Sequence, residues 1–213
     1  MANPTIEELK NEEKFELVAK LNHGQIKEFV IEQLTSKSKV VFSYMIYQVL
    51  MVLIGIFFLT RTLVLAYSGN FKALFFTAIA LIFSFSFLVI IHEVLHGIAL
   101  KFTGAKTVHF GGYLKRFIFY AEADRHVLNR RQFAFVALAP LVIVQIVTLL
   151  GIGIYWQQPF VYFWIILMST HSLFCAGDIG LLSLFYSSEG ELYTFDVKEE
   201  KQSYYYRRKE LQN

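Results

Sequence analysis

Residues 86–102 read SFLVIIHEVLHGIALKF. His92, Glu93 and His96 interrupt a run otherwise built of Phe, Leu, Val, Ile, Ala and Gly and closed by Lys101. A stretch this apolar is at home in lipid, and an ionisable side chain placed there carries an insertion cost that usually marks function. Its reading decides the fold, because it asks whether this segment crosses a bilayer and how many others do.

The wider composition answers that question. The 213 residues are 55% hydrophobic and 17% charged, against a norm of about 25% charged, and mean hydropathy is +0.47. Charge is also segregated: no Asp, Glu, Lys or Arg occurs between Val40 and Thr60, between Ala73 and Ile91, or between Gln132 and Gly177. A bilayer core takes about 20 apolar residues per helix. The first two runs each supply one span and the third, continued past Asp178, supplies two. The expectation is an all-α polytopic membrane protein with four transmembrane helices near 40–66, 71–100, 132–155 and 159–186. A cleaved signal peptide is not expected, since the first apolar run begins only at Val40 and is too long for one. The single Cys175 excludes an internal disulfide.

With four spans, the N-terminus, the 101–131 loop and the C-terminus share one side. That side holds 18 of the 20 Lys and Arg residues. The positive-inside rule then places both termini in the cytoplasm of a multi-pass cell-membrane protein. The basic residues orient the chain, and nucleic acid is not an expected partner.

Three parts of the chain lie outside the spans. Residues 1–38 carry a capping-box pattern, TIEE at 5–8, and a second helical apolar face at Ile26, Phe29, Val30 and Leu34 after NHG at 22–24. The expectation is an amphipathic helical pair lying on the cytoplasmic surface as an anchor. Within the loop, KTVHFGGYLKRFIFYAEADRH at 106–126 mixes β-branched and aromatic residues with turn-like breaks at Gly111–Gly112 and Lys115–Arg116, and predicts a short β-hairpin over 107–123. The tail, residues 189–213, contains SYYYRRKE and is expected to rest on anionic lipid. The membrane domain is accordingly 39–188. Inside it, Pro140 is placed to kink the third span, and YWQQPFVYFW at 155–164 forms an external turn in an aromatic belt.

The motif itself is HEVLH. Two histidines four residues apart emerge from one face of a helix and can grip one cation, while Glu93 points beside it. That is the metallopeptidase logic of a His pair with a neighbouring general base. One such match by chance in 213 positions has a probability on the order of 1%. A catalytic zinc normally takes three protein ligands, and Asp178 is the one other buried carboxylate. His92 lies nine residues from Lys101, and Asp178 eleven from Glu189, at the same side. At 1.5 Å per residue the depths differ by about 3 Å. Gly177 beside Asp178 would permit close helix approach or let the backbone bend.

Other candidates rank lower. His171 shares a face with Asp178 but sits about 10 Å deeper, as a polar neighbour rather than a ligand, and could stabilise an oxyanion. Cys175 reads as a small packed side chain. Glu122 and His126 read as a solvated loop pair, and His23 and His109 stand alone.

HEVLHG on one membrane helix and HSLFCAGD on a later one resemble an uncharacterised bacterial family of membrane zincin peptidases. More loosely they resemble site-2 proteases, the intramembrane zinc metalloproteases. The resemblance implies His92, His96 and Asp178 as zinc ligands and Glu93 as base. The chain departs from the site-2 pattern: Asp178 sits in AGDIG rather than Asn-Pro-Asp-Gly, and no PDZ-like insertion is present.

The reading that follows is a bacterial membrane-embedded zinc endopeptidase acting on membrane-associated polypeptides, with the loop hairpin able to hold an extended substrate. Its rivals are a zinc-dependent lipid or amide hydrolase, and a non-catalytic metal-binding transporter or sensor subunit. Oligomeric state is left open.

Overall fold

In the computed structural model the chain divides into two compact units, one of Met1–Val41, Glu93–Leu138 and Gly177–Asn213, the other of Phe42–His92 and Ala139–Ala176. The structure describes residues 3–35, 38–113, 118–187 and 190–209. In chain order the elements are α1 (Ile6–Leu9), β1 (Phe15–Asn22), α2 (Ile26–Leu34), α3 (Lys39–Tyr67), α4 (Lys72–Ser84) and α5 (Phe87–Phe102). Then come β2 (His109–Tyr113), β3 (Ile118–Glu122), β4 (Leu128–Asn129), α6 (Arg130–Ile154), α7 (Val161–Phe174), α8 (Ala176–Ser187), β5 (Leu192–Val197) and β6 (Gln202–Arg208).

Helices α3 and α6 are each long and apolar enough to cross a membrane. The other two expected spans are bent pairs, α4 with α5 at 47° and α7 with α8 at 45°, so among the described residues the number of candidate spans is two, or four if each pair is one span. Both bends have a local cause. The Ser86 hydroxyl donates to the Ile82 carbonyl at 2.7 Å, and the Cys175 thiol to the His171 carbonyl at 3.5 Å. A side-chain donor bonded four residues back competes with the helical ladder and bends it.

Within the second unit the helices are joined through small and hydroxylated residues. Thr62 and Thr77 bond at 3.1 Å between α3 and α4, and Gly55 of α3 lies so close to α7 that a Cβ there would stand 3.1 Å from the Ser169 Cβ. Phe76 and Phe83 of α4 pack edge-on against Phe160 and Phe163. Ile46, Val49, Leu53, Ile56 and Phe57 of α3 are exposed, an apolar face suited to lipid.

The first unit overturns the all-α expectation. It contains a four-stranded antiparallel sheet in the order β1-β6-β5-β4 and a two-stranded sheet, β2-β3. The predicted helical pair at 1–38 is a four-residue α1, whose capping box between Thr5 and Glu8 is present, then a strand, then α2. The tail expected on lipid is β5 and β6. β1 runs antiparallel to β6 from Phe15↔Arg208 to Asn22↔Gln202, with an irregularity between Leu17 and Ala19. That slip breaks the two-residue alternation of FELVAKLN and hides the strand.

Both faces of the sheet are covered. Tyr193, Phe195 and Val197 pack with Leu9 of α1 and Phe15, while Leu192 and Tyr205 pack with Leu184 and Phe185 of α8. Phe185 also stacks on Phe133 at 4.4 Å. α2 lies against α8, where a Cβ on Gly180 would meet Val30 Cγ1 at 2.9 Å. Gly180, not Gly177, is therefore the packing glycine of AGDIG, since nothing lies within 4 Å of a Cβ on Gly177.

The loop hairpin is present as β2 and β3, paired from His109↔Glu122 to Tyr113↔Ile118. Gly111 and Gly112 are strand residues rather than a break: the Tyr120 ring covers Gly111, occupying the place of its absent side chain. Lys115 and Arg116, the other expected break, fall outside the described residues.

Candidate metal centre

Helix α5 sorts its residues by side. Leu88, His92, His96 and Ala99 are buried, and Phe87, Ile90, Val94 and Ile98 are exposed. Both imidazoles thus point inward one turn apart, 5% and 7% exposed, while apolar residues face outward. Glu93 stands one residue after His92 and three before His96, half-buried on the flank of the same helix.

His96 is held at both ring nitrogens. Its Nδ1 donates to the Val136 carbonyl at 2.9 Å, and its Nε2 lies 3.1 Å from Asp178 Oδ1. A carbonyl only accepts, so this contact puts the ring proton on Nδ1. Val136 is available for a reason written in the sequence. The residue four positions on, within α6, is Pro140, which has no N–H to give to that carbonyl. The irregularity expected of Pro140 is thus turned to use as a histidine anchor. Asp178 sits in the first turn of α8, just after the bend at Cys175, where the helix N-terminus favours an acidic side chain.

His92 belongs to a second cluster. Its Nδ1 lies 3.1 Å from His171 Nε2, and the Cys175 Sγ lies 3.8 Å from His171 Nδ1. His171 and Cys175 are wholly buried. The donor atoms of His92, His171 and Cys175 lie within 4.8 Å of one another. The structure thus brings Asp178 to His96, and His171 to His92.

Three of the remaining candidates lie between α5 and α6. Glu122 is buried within β3, not solvated, and His126 bonds Thr103 Oγ1 at 3.0 Å, with burial lowering its pKa. His109 accepts from Lys198 Nζ at 3.1 Å. The side chain of His23 lies outside the described residues. Two features escaped the sequence reading: the Val136 carbonyl, signalled by a proline four residues on, and the contact of Cys175 with His171, signalled by its spacing of four.

An inward imidazole with a fixed proton and an adjacent carboxylate are the nitrogen and oxygen donors that zinc takes. Those residues fit the metal. A helix-borne His-Glu-x-x-His is the pattern of zincin-type metallopeptidases. Residues 85–193, just over half of the chain, match the model of the family described as "Putative zincin peptidase", and the chain belongs to that family. Membership implies zinc. No curated protein and no solved structure matches the chain.

Proposed function

We propose that the protein is a membrane-embedded zinc endopeptidase that cleaves membrane-associated polypeptides. The observation that carries the proposal is the 3.1 Å approach of Asp178 Oδ1 to His96 Nε2, a carboxylate from α8 delivered to the second histidine of HEVLH. His92, one turn earlier on α5, completes a set of two imidazoles and a carboxylate.

Zinc held there by His92, His96 and Asp178 would supply Lewis acidity and lower the pKa of water. Glu93, next to His92 on the same helix, would serve as the base that holds a proton and gives it to the leaving amine of the cleaved peptide bond. His96 keeps its orientation through Val136, so its Nε2 does not turn away during the cycle. The exposed apolar face of α5 keeps bulk water from the flank opposite the histidines.

The host is a bacterial cytoplasmic membrane, crossed four times, with both termini in the cytoplasm. Support for a common side comes from the four-stranded sheet, which draws β1 from the N-terminal segment, β4 from the loop and β5 and β6 from the tail. Strands of one sheet lie on one side of a bilayer, and the excess of Lys and Arg in these three segments makes it the cytoplasmic side.

The test is metal content and proteolysis of the purified chain. His96→Ala and Asp178→Ala are expected to lose zinc, whereas Glu93→Gln keeps zinc and loses cleavage of membrane substrates by 10²-fold or more, on the order of a general-base contribution. Equal zinc in wild type, His96→Ala and Asp178→Ala would remove the ligand assignment. Full cleavage by Glu93→Gln would remove the mechanism.

A further inference from the structure

We infer that His171 is a positioning residue that fixes the tautomer of His92, so that the Nε2 edge of His92 is the one offered to a metal. This rests on the ligand set proposed above.

The geometry of three contacts carries the inference. They are His92 Nδ1 to His171 Nε2 at 3.1 Å, His171 Nδ1 to Cys175 Sγ at 3.8 Å, and Cys175 Sγ to the His171 carbonyl at 3.5 Å. His171 thus meets the Nδ1 edge of His92 and is itself braced at its other ring nitrogen. With His92 Nδ1 donating to His171 Nε2, His171 carries its proton on Nδ1 toward Cys175 and the thiol donates to the carbonyl, so each of these contacts has one donor and one acceptor. An imidazole held by His171 at Nδ1 presents its Nε2 edge to a metal.

The platform is rigid enough for this role. His171 is 0% exposed and lies in the last turn of α7. That turn is tied to α3 through its neighbour Ser172: the Tyr44 hydroxyl donates to the Ser172 carbonyl at 2.5 Å and Gln48 Nε2 to its hydroxyl at 3.1 Å. Phe174 meets the His171 ring edge-on. A partner held this firmly orients the imidazole it bonds, as residues behind a metal ligand do, and the loss of such a partner costs about 10–100-fold in metal affinity. His96 reaches the same state by another route, through the Val136 carbonyl. Two unlike devices would then give both histidines of HEVLH one tautomer.

The experiment is zinc titration of the full-length protein against a chromophoric chelator, comparing wild type with His171→Leu, His171→Gln and Cys175→Ser. His171→Leu removes the acceptor and is expected to weaken zinc about 10–100-fold without changing stoichiometry. His171→Gln places an amide oxygen near the position of Nε2 and is expected to recover most of the loss. Cobalt-loaded wild type is expected to lack a thiolate charge-transfer band. The inference fails if His171→Leu binds as tightly as wild type, or if His171→Gln is as weak as His171→Leu. It also fails if cobalt shows a thiolate band that Cys175→Ser abolishes, since His171 and Cys175 would then be ligands themselves. Should the variants not fold, nitrogen-15 histidine spectra of the zinc-loaded wild type decide: a zinc-bound Nδ1 on His92 overturns the inference. His96→Ala runs beside these as a control. If it binds zinc like wild type, the ligand set itself has failed, independently of what His171 does.

Discussion

Pro140→Ala is expected to weaken zinc binding while stabilising the metal-free chain. Alanine restores an N–H at position 140 aimed along α6 at the Val136 carbonyl. The bond from His96 Nδ1 to that oxygen, 2.9 Å long and buried, then becomes one of two on the same acceptor. A buried hydrogen bond contributes about 1 kcal/mol net, so losing most of it weakens zinc by at most about five-fold. The helix moves the other way. An interior proline costs about 3 kcal/mol in a water-exposed helix, but here the freed carbonyl already has a donor, so the gain is smaller, about 1 kcal/mol. Chelator competition reads the first effect and thermal unfolding of the metal-stripped protein in detergent reads the second. Unchanged zinc affinity alongside a raised melting temperature would refute the idea that the proline serves His96 by freeing its acceptor.

The two glycines of AGDIG are expected to answer oppositely to alanine. At Gly177 a Cβ has no neighbour within 4 Å and the helix gains up to about 1 kcal/mol, whereas at Gly180 the clash with Val30 costs about 1–3 kcal/mol and outweighs that gain. Thermal melts of the two variants check this, and equal shifts would show that α2 does not bear on α8 at that point. Asp196 gives a pH signature: burial, reinforced by Asp124, pushes its carboxyl up to about 6, against an opposing bond from the Ser203 hydroxyl. With the folded value raised above the unfolded one, its favourable contribution is present at acid pH and is lost as pH rises from about 4 through 6, amounting to up to about 3 kcal/mol. Asp196→Asn should melt higher than wild type near neutral pH and show a flatter profile between about pH 4 and 7. A profile as steep as wild type would exclude Asp196 as its source.

The apolar helices and the motif could be read directly because each depends on local chemistry. Charge-free runs located α3, α6 and the two bent pairs but not the bends themselves, and a four-residue spacing put His92 and His96 on one face of α5. Depth counting pointed to Asp178, which the structure sets 3.1 Å from His96. It also put His171 about 10 Å deeper than Asp178, and the structure sets that ring against His92, because a bend at Cys175 separates the two residues. The sheet could not. β1 and β6 are about 190 residues apart in sequence, a long-range pairing that no window of local periodicity reports. SYYYRR reads as well for a lipid-facing tail as for a strand, and only its partner decides between them. Gly111 misled for a related reason, because the ring that makes it a good strand residue comes from Tyr120 on the next strand.

The three interruptions of the helical ladder share one consequence. A carbonyl released from its helix inside lipid needs another donor, because water is not there to supply one. At Pro140 the released carbonyl, Val136, takes the Nδ1 proton of His96. At Cys175 the carbonyl of His171 meets a thiol whose sulfur also meets the His171 ring. At Ser86, six residues before His92, the Ile82 carbonyl takes the serine hydroxyl, and the helix that restarts there is the one that carries HEVLH. Broken helices and buried polar side chains are each unfavourable alone in a bilayer. Placed together, the break supplies acceptors that the polar residues need, and the polar residues supply donors that the break needs. On this view the bend at Cys175 and the proline in α6 supply contacts that hold His171 and His96, and straightening either one should change metal binding as well as fold stability.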